Sequence, residues 1–232
     1  MVHLSFFICV FFNLLFCLCY GALTALDLPN YYGHNKNGDL NLNSKVVTVQ
    51  VFGESLCPDT TNFFDYYFLR FVSEFENEID VDISYTPFGK AYCKEVDDDF
   101  NCVCQHGQLE CQLNALQNCV INIYKNFNDH FPIIHCIQEK TSIDDAASKC
   151  FSKMDEGMAN LLSECAKGKE GRKLLANAGN VTSQYAAGLN FVPWIVINGE
   201  ANMDAYYSGM EKAVCKELST FTTVPSVCKS YM

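Results

Sequence analysis

The sequence predicts an α/β domain interrupted near its centre by a disulfide-rich helical insertion. Three observations carry that expectation: a β-α-β pattern over residues 46–87, a strand, turn and helix pattern from residue 192 onward, and a middle stretch that gathers cysteines among helical stripes. In the first pattern, Val46-Val47-Thr48-Val49-Gln50-Val51-Phe52 alternates as a buried strand does. Phe64, Phe68, Phe71, Val72, Phe75 and Ile79 then recur at helical steps, predicting a helix over about 58–79. Val81-Asp82-Ile83-Ser84-Tyr85-Thr86-Pro87 is the second strand.

Near the other end, Val192-Pro193-Trp194-Ile195-Val196-Ile197 reads as a strand, and Asn198-Gly199 is a strong hairpin-turn signal. A last helix follows, with Tyr207, Met210, Val214 and Leu218 on one stripe. This order of elements is that of a thioredoxin-like fold split by an insertion at about 90–165. The insertion reads as helical. Leu109, Leu113, Leu116, Val120, Tyr124 and Phe127 form one stripe, and Ile143, Ala147, Cys150, Met154, Met158 and Leu161 form another. The domain then spans 46–220, between a leader at 25–45, rich in Asn and Gly, and a tail at 221–232.

The chain's 232 residues suffice for one domain plus an insertion. Its formal charge of −11 excludes nucleic acid and anionic membrane surfaces as partners, because both need a basic patch. The one basic run, from Lys167 to Lys173, is broken by Glu170 and two glycines and reads as a solvated helix entry. An apolar run from Leu4 to Tyr20, followed by small residues, has the length and flank of a signal peptide over 1–24. No other segment is long and apolar enough to cross a bilayer, so the expectation is a secreted, lysosomal or vacuolar lumenal protein with no membrane segment after cleavage.

Of 14 cysteines, loss of Cys9, Cys17 and Cys19 with the signal leaves 11. An odd number in an oxidising compartment suggests one unpaired thiol or an intermolecular bridge. Cys57 is the natural odd one out. Cys93, Cys102, Cys104, Cys111, Cys119, Cys136, Cys150 and Cys165 give the insertion an even set for four bridges, and Cys215 with Cys228 would secure the tail. Spacing alone leaves that connectivity open.

Leu56-Cys57-Pro58-Asp59-Thr60 looks like a thiol redox centre whose second sulfur has been replaced. A Cys on a strand-to-helix turn meets unpaired N–H groups and the positive end of the helix dipole, which favour a thiolate. Three residues on, where a dithiol site would carry its second Cys, stands Thr60, and no Cys-x-x-Cys occurs in the chain. Thr60 can offer the thiolate a hydrogen bond but cannot form a disulfide, while Glu54 and Asp59 flank the sulfur and oppose its ionisation. A single thiol can attack a disulfide, but its release then needs an external thiol such as glutathione or cysteine.

The second motif is Cys104-Gln105-His106-Gly107-Gln108-Leu109-Glu110-Cys111-Gln112-Leu113-Asn114, with Cys119 five residues further on. Cys102, Cys104, His106 and Cys111 have the chemistry of zinc ligands, but in a secreted chain disulfides are the better reading, so no metal or other cofactor is expected. The string resembles the signature of the gamma-interferon-inducible lysosomal thiol reductase (GILT) family, together with Glu54-Ser55-Leu56-Cys57-Pro58-Asp59 upstream and Val192-Pro193-Trp194-Ile195 downstream. The resemblance implies a thioredoxin-like fold, reduction of disulfide-containing protein substrates in an acidic lumen, and a substrate-binding role for Val192 and a cis Pro193 beside the reactive sulfur. It also marks the departure, because reductases of the family use two active-site cysteines.

A redox-inactive peptide-binding module and a secreted signalling protein bridged through Cys57 stay open as alternatives. Asn180-Val181-Thr182 is an N-glycosylation sequon on a polar stretch before a strand. Asp97-Asp98-Asp99 reads as a solvated loop, and His34, His130 and His135 show no catalytic pattern.

Overall fold

The computed structural model describes residues 45–232, so the expected signal peptide, the leader up to residue 44 and His34 lie outside the described residues. Strand β1 (Val47–Gly53) is central because its alternation of Val47, Val49 and Val51, followed by Phe52, lets it bury both faces. It runs parallel to β2 (Val81–Pro87), with Val47 opposite Val81 and Gly53 opposite Pro87. On its other side β1 pairs antiparallel with a strand from the far end of the chain, Trp194–Ile197, which turns back onto Glu200–Ala201. Asn198 and Gly199 both take positive φ, 51° and 83°, as a two-residue hairpin turn requires. The Asn198 side chain also accepts a hydrogen bond from Thr48 N–H at 3.0 Å.

The helix after Cys57 is not one regular rod. It comprises α1 (Pro58–Phe63), a π-helical turn (Phe64–Phe68) and α2 (Leu69–Phe75). The wider turn gives Phe63 and Phe68, five residues apart, a shared face, and their rings stack at 5.4 Å. Phe63, Phe64, Phe68, Phe71 and Phe75 are all fully buried. The helix ends four residues earlier than its apolar pattern predicts: Ile79 lies beyond it and is 78% exposed.

The insertion opens with a hairpin that helical periodicity does not anticipate: β3 (Tyr92–Val96) and β4 (Asp99–Val103) pair antiparallel. Asp97 and Asp98 form its turn at φ 48° and 63°, so this acidic run is a tight turn and not an open loop. Five helices follow: α3 (Gln108–Ile123), α4 (Phe127–Ile137), α5 (Ile143–Cys150), α6 (Glu156–Lys167) and α7 (Lys169–Tyr185). The first expected stripe breaks at Tyr124, and the second divides between α5 and α6. In α6 the buried residues are Leu162 and Ala166, while Leu161 is 54% exposed. The basic run enters α7 at Lys169, and its Arg172 pairs with Asp99 at 2.6 Å, tying the hairpin to that helix.

Strands β5 (Trp194–Ile197) and β6 (Glu200–Ala201) complete a sheet ordered β2-β1-β5-β6. A π-helical turn (Ala205–Gly209) leads into α8 (Met210–Leu218), whose Met210, Val214 and Leu218 are buried; the Tyr207 side chain lies outside the described part. Arg70 of α2 meets the buried Glu211 of α8 at 2.7 Å. Five disulfides join Cys93 to Cys102, Cys104 to Cys111, Cys119 to Cys165, Cys136 to Cys150, and Cys215 to Cys228. Among the described residues no helix is long and apolar enough to cross a membrane.

Candidate active site

Cys57 is the free cysteine among the described residues. It forms the N-cap of α1 in extended backbone geometry, with Pro58 at the first helical position, where a missing N–H costs nothing. Its carbonyl accepts Thr61 N–H at 3.1 Å, and its thiol lies 4.0 Å from the Val192 carbonyl oxygen. The Val192–Pro193 peptide is cis and both residues are buried, and its Val192 carbonyl is what meets the sulfur. Cys57 itself is only 7% exposed.

Thr60 is fully buried, and its side chain is engaged with Gly53 and Glu54 of the preceding turn. Its hydroxyl accepts Glu54 N–H at 3.4 Å, and its methyl sits so close to Gly53 that a Cβ on Gly53 would come within 2.7 Å of it. Thr60 therefore braces the turn that leads to Cys57. Asp59 is exposed on the first turn of α1.

The turn itself is held by the insertion. Ser55 N–H donates to Asn114 Oδ1 at 2.9 Å, Ser55 Oγ donates to the Glu110 carbonyl at 3.3 Å, and Ser55 O accepts Glu139 N–H at 2.9 Å. The Glu110 and Asn114 positions of the second motif thus act as a scaffold for the first. Asn118, one helical turn on, donates to the Pro87 carbonyl at 2.9 Å and fastens α3 to the end of β2.

Glu54 does not face solvent beside the sulfur, as a reading of the flanking charges suggests. It is fully buried, with Oε1 accepting Lys90 N–H at 2.7 Å. Gly89 makes this possible, since it has φ +58° and a Cβ there would lie 2.3 Å from Glu54 Cγ. Burial pushes the Glu54 carboxyl above its ordinary value, and the nearby Glu110 carboxylate adds to the rise, against the Lys90 N–H and His106. Burial likewise pushes the Tyr85 phenol well up. His106 completes the group: its Nδ1 is 2.5 Å from Glu110 Oε2 and 3.5 Å from Glu54 Oε2. These three ligand atoms all lie within 4.8 Å of one another.

The sequence does not show this cluster, because Glu54 stands more than fifty positions from His106 and Glu110, and His106 reads there as a companion of the neighbouring cysteines. The thiols that had the chemistry of zinc ligands, Cys102, Cys104 and Cys111, are spent in disulfides. His135 Nε2 pairs with Asp65 at 2.6 Å, and His130 Nδ1 contacts the Tyr124 carbonyl at 2.8 Å, so both link structural elements. Asn180 is exposed on α7, within a helix and not on a loop, and Thr182 of the same sequon is buried with its hydroxyl on the Ala178 carbonyl.

Comparison with known proteins follows the same residues. Positions 48–154 match the profile of the family described as gamma interferon inducible lysosomal thiol reductase (GILT). One GILT-like protein of Caenorhabditis elegans is 38% identical over 187 residues, covering 81% of this chain and 56% of its own length, so the chain spans little more than half of that relative. A second from the same organism is 35% identical over 170 residues, covering 72% of this chain and 78% of its own. Among solved structures, Chlamydia trachomatis DsbA superposes with a TM-score of 0.60 at 14% identity, over 85% of this chain and 98% of that one. Oxidised DsbA of Mycobacterium tuberculosis gives 0.55 at 16% identity, over 80% and 88%. These two likenesses establish the thioredoxin-like fold.

Proposed function

The chain belongs to the GILT family, and from that premise we propose that it is a thiol-disulfide oxidoreductase that acts on protein disulfides through Cys57 alone. The observation that supports this most is a single free thiol at a helix N-cap, 4.0 Å from the carbonyl of Val192 and beside Pro193. The ten other cysteines of the described chain are paired, so none can resolve an adduct on Cys57 without opening a structural bridge.

The Cys57 thiolate attacks one sulfur of a substrate disulfide. A mixed disulfide forms, and the other substrate sulfur leaves as a thiolate that takes up a proton. An external thiolate then attacks the Cys57 sulfur and releases the substrate as a dithiol. A second external thiol frees Cys57 and departs as a low-molecular-weight disulfide. Two external thiols are oxidised for each substrate disulfide reduced. Where the freed substrate thiolate attacks first, the outcome is isomerisation with no net electron transfer. Val192 offers backbone to an extended substrate segment, by analogy with thioredoxin-like enzymes. The compartment is the lumen of the secretory route, a lysosome or vacuole, or the exterior.

Trapping tests the reading. Incubation with a disulfide peptide followed by a non-reducing gel should show an adduct that is absent in Cys57→Ser and dissolved by glutathione. If no adduct accumulates between acidic and neutral pH while iodoacetamide labels Cys57, the fold serves peptide binding without turnover.

A further inference from the structure

We propose that Glu54, His106 and Glu110 form a binding site for a first-row divalent cation, with Zn²⁺ the best match to its donors. The site is built as a ligand shell with its own support. Each carboxylate commits one oxygen to a backbone amide: Glu54 Oε1 to Lys90 N–H at 2.7 Å, and Glu110 Oε1 to His106 N–H at 3.0 Å. That fixes both side chains and aims the two remaining oxygens at one point. There they meet His106 Nδ1, at 3.5 Å from Glu54 Oε2 and 2.5 Å from Glu110 Oε2. Such outer hydrogen bonds orient the ligands in known metal sites.

The second observation is Glu54 Oε2 itself. It is fully buried on a residue with no exposed surface, and it makes no hydrogen bond. An oxygen of that kind is costly unless something satisfies it. Its aim toward His106 Nδ1 and Glu110 Oε2 identifies the missing partner as a cation shared by all three. Ligands about 2.0–2.1 Å from a tetrahedral zinc stand roughly 3.4 Å apart. The Glu54–His106 separation already has that value, and the Glu110–His106 pair needs to open by only about 1 Å.

The donor set chooses the ion. One imidazole and two carboxylates suit zinc better than calcium or magnesium, which take oxygen alone. Three protein ligands leave a fourth position, and His106, with 31% of its side chain exposed, gives the ion its route in and a place for water. Bound there, the cation would clamp the turn before Cys57 to the start of α3. The proposal does not depend on redox activity, since Cys57 supplies no ligand.

Untagged chain stripped with EDTA and titrated with zinc against a chromophoric chelator tests this, in wild type and in Cys57→Ser. One zinc should bind per chain in both, and X-ray absorption should show a shell of nitrogen and oxygen at about 2.0–2.1 Å without sulfur. Glu110→Gln should weaken binding by at least about 100-fold. Because Glu110 is buried, His106→Gln is the companion variant: its side chain is partly exposed, and its loss should cost binding with the far-ultraviolet dichroism unchanged. Absence of stoichiometric zinc overturns the proposal. So does a sulfur-containing shell lost in Cys57→Ser, or equal affinity in wild type and both folded variants.

Discussion

Replacing Thr60 with Cys places a second sulfur three residues after Cys57, and the structure sets both cost and gain. Thr60 is fully buried, so the substitution removes a methyl packed on Gly53 and an acceptor for Glu54 N–H. The 3.4 Å bond is long, and its loss belongs at the low end of the usual 0.5–1.5 kcal/mol. Removing a buried methyl costs about 1 kcal/mol. The reduced variant should therefore be about 1.5–2 kcal/mol less stable than wild type, equivalent to a fall in Tm of roughly 3–8 °C for a domain of this size. Against this stands the chemistry of release. On the proposed single-thiol mechanism the wild-type adduct on Cys57 waits for an external thiol in a bimolecular step. A sulfur three residues along the helix attacks intramolecularly, at an effective concentration of millimolar or more. With external thiol held near 0.1 mM, the adduct should decay at least ~10-fold faster in Thr60→Cys. The assay is quenched-flow alkylation of a preformed peptide adduct, read on non-reducing gels. Equal decay rates in a folded variant would refute the reasoning, because the missing second sulfur would then not limit release.

Other perturbations probe the framework around the turn. Gly89→Ala places a Cβ 2.3 Å from Glu54 Cγ at a φ of +58°, and should lower stability by about 1–3 kcal/mol in a urea melt. Asn114→Ala strips the buried Ser55 N–H of its acceptor, which should cost about 1–3 kcal/mol and speed alkylation of Cys57 as the turn loosens. The Arg172 guanidinium holds the Asp99 carboxyl down at about 2, below its ordinary 3.8. A depressed folded pKa means that the stabilisation is complete above about pH 4 and lost as pH falls toward 2. Asp99→Asn should remove that part of the acid-side slope and leave the neutral-to-alkaline slope unchanged, as followed by melting temperature across pH.

The frame was legible because its signals are local. Alternation in Val47 to Phe52 and the Asn198-Gly199 pair each determine a short piece of backbone, and the structure has both. The β3–β4 hairpin was not legible, since Tyr92, Val96 and Val103 are exposed and its packed face is made by Cys93, Phe100 and Cys102, too few apolar residues to impose alternation. Its turn uses Asp97-Asp98 in place of a glycine pair, a conformation that aspartate tolerates without advertising it. The slip between Leu161 and Leu162 has a different origin: adjacent leucines leave the phase of a stripe undecided until the helix has a partner. At the site, the Cys57 thiol lies 4.0 Å from the Val192 carbonyl and the Val192–Pro193 peptide is cis. The destinations of Thr60 and Glu54 did not show in the sequence, because they depend on contacts with Gly53, Gly89 and α3 that only the folded chain brings near.

The five bridges carry a consequence for the protein's endurance. On the proposed mechanism the cycle consumes small thiols, which are also reagents able to open a disulfide. Four of its bridges shelter at least one sulfur-bearing residue in the interior, as at Cys102, Cys104, Cys111, Cys119, Cys215 and Cys228. The Cys136–Cys150 bridge has neither end buried. It joins α4, which carries the His135 contact to Asp65, to α5. On the proposed mechanism small thiols meet this bridge with the least shelter, so Cys136–Cys150 should be the first of the five to open.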